Sequence, residues 1–276
     1  MQKTDASDIR YGSLLDMHGQ GFVVLGVGPG IGEHTVRALA QLGARVLCVD
    51  IDPSLATKVA EAVDGHAIAA DVTKRSDMQK VFEQADRLFG ADFFGVVDVV
   101  GIAFGRPLTE MADEDWQRQF DLVFTHAHLA IQYGAPLMAR NGRGSFVFVS
   151  SVAGLGARAG RLLGYGASKA ALNHLVRSAA QEWAGRKITV NAVAPGITRT
   201  PRLIAANGPD FWEALGKQIP GGRAGEISDV VSAILFFASG LARHVTGNIL
   251  PVDGGSHDQP PATRAPALTE DLRRPA

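Results

Sequence analysis

The sequence predicts a single α/β domain, a doubly wound parallel sheet with helices on both faces. Three observations carry this. Compact apolar runs rich in β-branched residues recur along the chain, each followed by apolar residues at helical spacing. A glycine-rich turn, Gly26-Val-Gly28-Pro-Gly30-Ile-Gly32, falls on the first strand–helix joint. The second strand ends at an aspartate, Asp50, about twenty residues further on.

Residues 1–20 are a polar lead-in, expected as a surface arm. Residues 21–27 read as a buried strand and 33–42 as its following helix. The pattern repeats with a strand over 45–49, a helix over 54–63, a strand over 66–70 ending at Asp71, a helix over 76–89 and a strand over 95–100. Residues 113–138 read as one long helix with Pro136 near its end. A strand over 145–149 runs into Ser150 and Ser151. A helix spans 165–183, and a strand over 188–193 stops at Pro195-Gly196. Residues 198–222 are irregular, with a short helix around 211–215. A helix over 228–238 and a strand over 248–252 complete the domain. The expected organisation is an arm over 1–20, one domain over 21–256 and a proline-rich tail over 257–276, disordered or draped over a neighbour.

The bulk properties exclude several classes. Among 276 residues, 27 lysines and arginines meet 28 aspartates and glutamates, so neither nucleic acid nor an anionic membrane is an implied partner. A single cysteine, Cys48, rules out an internal disulfide and sits in an apolar run as a core residue. No apolar stretch approaches the ~18 residues of a membrane span. The polar N-terminus carries no apolar signal core, and a soluble cytoplasmic protein is expected. No histidines or carboxylates show metal-ligand spacing, so no catalytic metal is expected.

The turn at 26–32 has the form of a phosphate site. Backbone N–H groups at a helix start attract anions, and glycines let a pyrophosphate approach closely. Asp50 is placed to accept hydrogen bonds from adenosine ribose hydroxyls and to repel a 2′-phosphate, which favours NAD over NADP. Asp52 is a weaker stand-in, and Asp71-Val72 ends the third strand where an adenine amino group would lie.

Tyr165 and Lys169 sit four apart on a helix, on one face. An ammonium beside a phenol favours the phenolate and lowers its pKa, which suits proton exchange with an alcohol/carbonyl pair.

With these residues in place, the chain resembles the short-chain dehydrogenase/reductase family. The carrying motifs are Gly26-x3-Gly30-x-Gly32, Ser151, Tyr165-x3-Lys169, Asn191-Ala-Val-Ala-Pro195-Gly196 and Pro251-Val-Asp253-Gly254-Gly255. The resemblance implies a sheet of about seven strands of the Rossmann type. It implies a homotetramer or homodimer built on the long central helices. It also implies reversible hydride transfer between a nicotinamide cofactor and an alcohol or ketone. Carried over by position, Tyr165 is the general acid–base, Lys169 holds the nicotinamide ribose and lowers the tyrosine pKa, and Ser151 binds the substrate oxygen. Gly26, Gly30, Ile31, Gly32, Asp50, Asp71, Val72, Gly101, Tyr165, Lys169, Pro195, Gly196, Thr198 and Thr200 are the expected cofactor contacts, with Ile197 beside the ring. Ser151 rather than Ser150 fits the family's paired serine. It precedes Tyr165 by one residue more than the common spacing, and the extra residue falls in the 158–164 loop.

The chain also departs from the family pattern. Leu25 stands where threonine is usual, and Asp98-Val99-Val100-Gly101 stands for Asn-Asn-Ala-Gly. Val123 takes the place of an asparagine that helps hold a water linked to the lysine. His126 and His128 follow closely, as stand-ins or as packing and surface residues; three catalytic residues are assigned and no fourth. The segments 101–107, 152–164 and 198–222 supply Ile102, Phe104, Leu155, Leu162, Leu163, Leu203, Ile204, Phe211 and Trp212, a set suited to an apolar ketone or secondary alcohol. Arg106, Arg158, Arg161 and Arg202 are the alternative, as a carboxylate or phosphate site or as solvated surface. The expectation is an NAD(H)-dependent alcohol dehydrogenase or ketone reductase. The rivals are an NADPH-dependent 3-oxoacyl-thioester reductase and a non-catalytic dinucleotide-binding protein.

Overall fold

The computed structural model describes residues 10–156 and 161–257. Residues 1–9 of the expected arm, Arg158 with part of its loop, and the tail beyond His257 lie outside the described residues.

Seven strands form one sheet: β1 (Gly21–Leu25), β2 (Arg45–Asp50), β3 (His66–Ala69), β4 (Phe93–Asp98), β5 (Gly144–Val149), β6 (Ile188–Pro195) and β7 (Ile249–Val252). Their order is β3-β2-β1-β4-β5-β6-β7, and every neighbouring pair is parallel. The winding reverses between β1 and β4, which opens a crevice at the carboxyl ends of those strands. The helices are α1 (Ile31–Gln41), α2 (Pro53–Glu61), α3 (Arg75–Phe89), α4 (Asp113–Phe120), α5 (His126–Arg140), α6 (Leu163–Trp183), α7 (Pro201–Ala206), α8 (Pro209–Gly216) and α9 (Ile227–Ala238).

The period-2 alternation of the strands divides the core into two layers. Val23, Leu25, Phe146 and Phe148 pack with α3, α5 and α6 on one face. Phe22, Val24, Val147 and Val149 pack with α1, α2 and α9 on the other. Cys48 is fully buried in the second layer, where desolvation pushes its thiol up to about 12, so it is an inert packing residue. Among the described residues no helix is long and apolar enough to cross a membrane.

Several elements differ from the sequence expectation by two residues or more, β6 among them because it runs on to Pro195, and four of the differences have a clear local reason. β1 ends at Leu25 because Gly26 turns the chain with φ +81°. β4 begins and ends two residues early, and Asp98 closes it by accepting the Val100 N–H at 3.1 Å. The expected helix over 113–138 is interrupted by a π-helical turn, Asp121–Thr125, between α4 and α5. The irregular segment over 198–222 holds two helices, each with proline at its start: Thr200 caps α7 before Pro201, and Gly208 precedes Pro209 of α8.

The described part of the arm is docked rather than free. Tyr11–Leu15 forms a 3₁₀ turn, the Met17 N–H donates to Leu42 O at 2.9 Å, and the Met17 side chain is 1% exposed in the second core layer. Met17→Ala should therefore lower stability by about 2–4 kcal/mol in urea denaturation, a cavity-sized loss that a surface arm would not show.

Candidate active site

The turn after β1 has the shape that its glycines dictate. A Cβ on Gly32 would lie 1.9 Å from Gly26 O, so the first turn of α1 can close on the end of β1 only without a side chain there. Gly26 and Gly30 both have positive φ, and the Gly26 N–H donates to Val49 O at 2.8 Å. Gly28 and Gly30 are uncrowded: an added Cβ would make ordinary contacts, none nearer than 3.8 Å. Ile31 and Gly32 begin α1, where the first N–H groups of a helix have no intrahelical acceptor. The cradle fits a pyrophosphate.

Asp50 faces this cradle. Its Oδ2 is the nearest atom to a Cβ placed on Gly28, at 3.8 Å, and its Oδ1 accepts the Asp52 N–H at 3.1 Å. Asp52 is engaged elsewhere, since its Oδ1 accepts the Ser54 N–H at 2.8 Å and the Ser54 hydroxyl at 2.7 Å, capping α2. Asp71 lies past β3, but its carboxylate accepts from the Thr73 N–H and hydroxyl and pairs with Lys74 at 3.3 Å. The Val72 side chain is buried in the core, leaving only its backbone for a ligand. Thr200 and Pro201 lie 3.8–3.9 Å from where a Cβ on Gly30 would sit, which puts Thr200 on the phosphate side of the crevice. Thr198 is 4% exposed, and its hydroxyl donates to Gly196 O at 3.2 Å, which holds the side chain within the protein. Pro195 ends β6 beside Val252, and Gly196 lies against Asp253, where a Cβ would sit 2.8 Å from the Asp253 Cβ.

The two serines after β5 divide their roles. Ser150 is 3% exposed, and its hydroxyl bonds Asn173 Oδ1 at 2.6 Å. Ser151 opens the 3₁₀ turn Val152–Gly154, accepts the Ala153 N–H at 3.2 Å and hydrogen-bonds the half-buried Tyr165. Two glycines allow this meeting. A Cβ on Gly154 would lie 2.7 Å from the Lys169 carbonyl carbon, and one on Gly166 would lie 2.9 Å from Ala153 O, so the turn rests directly on the α6 backbone.

Lys169 is 2% exposed. Its Nζ donates to Val149 O at 2.6 Å, sits 5.7 Å from the Tyr165 ring centroid and would be 3.0 Å from a Cβ on Gly101. Burial pulls its pKa down to about 8, against an upward pull from Asp98. Burial pushes the Tyr165 phenol up to about 12, opposed by the Ser151 hydrogen bond. The expected lysine-driven depression of the phenol pKa is not what this geometry gives: the ammonium lies over the ring and bonds a carbonyl, and desolvation dominates.

Three further residues shape the site. Asn173 continues the Tyr165, Lys169 stripe at i+8, a readable signal; its Nδ2 donates to Gly154 O at 3.0 Å, tying the 3₁₀ turn to α6. Gln119, fully buried, clamps the 101–107 loop by accepting the Phe104 N–H and donating to Ile102 O, both at 2.8 Å. His126 is buried against Asp98, with Nδ1 and Oδ2 2.7 Å apart. Val123 is fully buried within the π turn. Of the expected apolar wall, Ile102, Leu163 and Ile204 are exposed, whereas Trp212 is core to a small cluster with Leu215 and Ile219. Arg106 pairs with Asp115 at 2.8 Å and Arg161 donates to Gly105 O at 3.0 Å, so both are engaged within the protein.

A nucleotide cradle at the switch point and a serine, tyrosine and lysine brought together beside it are the marks of a dinucleotide-dependent oxidoreductase. Residues 26–257 match a family model described as Enoyl-(Acyl carrier protein) reductase. A tropinone reductase homolog of Arabidopsis thaliana is 34% identical over 246 residues, covering 87% of this chain and 91% of that protein. A 3-oxoacyl-[acyl-carrier-protein] reductase of Thermotoga maritima is 34% identical over 244 residues, covering 87% and 98%. The solved structure of a 7α-hydroxysteroid dehydrogenase, complexed with NADH and 7-oxo glycochenodeoxycholic acid, superposes with a TM-score of 0.84 at 29% identity, covering 90% and 98%. The chain belongs to the short-chain dehydrogenase/reductase family, whose members are oxidoreductases that bind a nicotinamide dinucleotide.

The serine assignment is testable without substrate. Ser150→Ala strands the buried Asn173 oxygen and should cost about 1–3 kcal/mol of stability. Ser151→Ala removes a turn cap and the hydrogen bond to the half-buried Tyr165, and should cost less than the Ser150 change in the same denaturation measurement.

Proposed function

We propose that the protein is an NAD(H)-dependent oxidoreductase that interconverts a secondary alcohol and a ketone on a largely apolar substrate. The observation that carries this reading is the meeting of Ser151, Tyr165 and Lys169 at the mouth of a crevice whose glycine cradle faces Asp50. A bound nicotinamide supplies or accepts the hydride. The chain's own residues hold the rest. The Ser151 hydroxyl donates to the substrate oxygen. In reduction the Tyr165 hydroxyl gives its proton to that oxygen as it gains charge; in oxidation the phenolate takes the proton back. The Lys169 ammonium lies over the ring, with Val149 O fixing its direction, and its charge offsets part of the cost of a phenolate whose pKa burial still holds high. It is also placed to hold the ribose. Asp50 supports NAD over NADP, because a 2′-phosphate would meet its carboxylate. The exposed Ile102, Leu163 and Ile204 support an apolar substrate, and the solved relative that carries NADH and an oxo-steroid acid is consistent with both choices.

A second reading, reduction of a 3-oxoacyl thioester with NADPH, draws on the Thermotoga maritima relative. Fluorescence titration with NADH and with NADPH separates the two. Tight NADH and weak NADPH binding is expected; equal or stronger NADPH binding would overturn the Asp50 argument and favour the thioester reading. Tyr165→Phe should bind NADH as the parent does and lose turnover by roughly 10²–10⁴-fold. Normal turnover in that variant would remove Tyr165 from the chemistry.

The pH dependence follows from the lysine. Its pKa is lowered to about 8, so the ammonium is present below that pH and lost above it. Ketone reduction, which needs the protonated phenol and the charged lysine, should be level near neutrality and fall above about pH 8 in steady-state assays.

A further inference from the structure

We infer that Asp98, held in place by His126, is the counter-charge that keeps the buried Lys169 ammonium protonated, so that the Asp98–His126 pair is a positioning device for the proposed catalytic lysine. Three buried groups carry this. Asp98 ends β4 at 1% exposure, His126 begins α5 at 1% exposure, and their Oδ2 and Nδ1 are 2.7 Å apart. The ammonium of Lys169 lies over Gly101, three residues beyond Asp98, at the same strand end.

Hydrogen-bond accounting gives the pair its charge. A carboxylate only accepts, so His126 donates from Nδ1. Its Nε2 is buried and has no partner among the described residues. A proton there would be an unsatisfied buried donor, which favours leaving Nε2 as a bare lone pair. The pair then carries the carboxylate charge alone. Asp98 Oδ1 accepts the Val100 N–H at 3.1 Å, which fixes the carboxylate without neutralising it. A buried anion needs a cation, and Lys169 is that cation: the Asp98 charge pulls its pKa upward against desolvation.

The other titratable groups around α6 do not compete. Asp115 of α4 is paired with Arg106, and Asp121 of the π turn accepts from Thr125 and Gln117. Asp113, Glu114, Arg118, His128 and Arg186 are exposed. Tyr133 of α5 stacks on Phe82 of α3, His174, Arg177 and Glu182 of α6 are exposed, and Tyr165 is the titratable group on α6 beside the ammonium. The departures also fit together. Where Val123 offers no polar side chain, Asp98 and His126 introduce one charge and the donor that orients it.

The catalytic consequence rests on the function proposed above, but the electrostatic claim does not. The experiment is a ¹⁵N NMR titration of Lys169 Nζ in the purified full chain without cofactor. Asp98→Asn should lower the Lys169 midpoint by on the order of one pH unit. His126→Phe should move it in the same direction. His126→Asn, which keeps an N–H near the Nδ1 position, should restore the midpoint. If the proposed reaction is observed, the alkaline fall of ketone reduction should shift in step. An unchanged Lys169 midpoint in Asp98→Asn would overturn the inference, and a lowered melting temperature with that midpoint unchanged would reduce the pair to packing. Should His126→Phe not fold, Asp98→Asn decides alone. A protein with no turnover would still report the lysine midpoint, so failure of the function and failure of the pair are distinguishable.

Discussion

The site depends on one constraint: a lysine ammonium must be kept inside the protein, at the end of a parallel sheet. Lys169 is almost fully enclosed, and its charge is costly there unless it is met by an acceptor and a counter-charge. The fold supplies both from neighbouring strand ends. Val149 O at the end of β5 accepts the hydrogen bond, and Asp98 at the end of β4 supplies the charge. Both exist because parallel strands finish at one edge, where β4 and β5 lie side by side. Tyr165, one turn earlier on α6, is thereby set over the same edge, facing Ser151 from the following turn.

The two ends of the crevice are made by the same device, a backbone pressed against a helix with no side chain between. At the nucleotide end Gly32 lets α1 close on the end of β1. At the chemical end Gly154 and Gly166 let the Val152–Gly154 turn lie on α6. Close approach of backbones fixes position more firmly than side-chain packing does, since no rotamer can yield. The groups presented, N–H donors at one end and the Ser151 hydroxyl at the other, inherit that rigidity.

Much of this was legible in the sequence, for physical reasons that differ by residue. The layered sheet followed from alternating apolar runs, because buried strands and amphipathic helices leave distinct periods. Asp50 stood out in the sequence as a strand-end carboxylate after a glycine turn, and the structure places its side chain beside Gly28. Asp71 read the same way but is occupied by Thr73 and Lys74, and no sequence period reveals a local hydrogen bond of that kind. Thr200-Pro201 carried a helix-start signal for α7 that the surrounding irregular composition obscured. His126 was visible only as a histidine on a helix. Its partner lies 28 residues earlier on another element, and the pairing needs the fold.

The π turn between α4 and α5 has a consequence for how this chain tolerates change. A helix residue advances the phase by about 100°, and a π turn absorbs one residue more than an α turn would. The segment Asp121–Thr125 therefore sets the angular phase of all that follows it in α5: His126 toward Asp98, and Leu129 and Ala130 toward the sheet. Side chains at Leu122 or Phe124, half-buried, can vary while this phase is kept. The number of residues cannot, because removing one would rotate His126 off its carboxylate and turn the core stripe of α5 away from the sheet. In this stretch the chain is constrained by its count of residues more than by their identity.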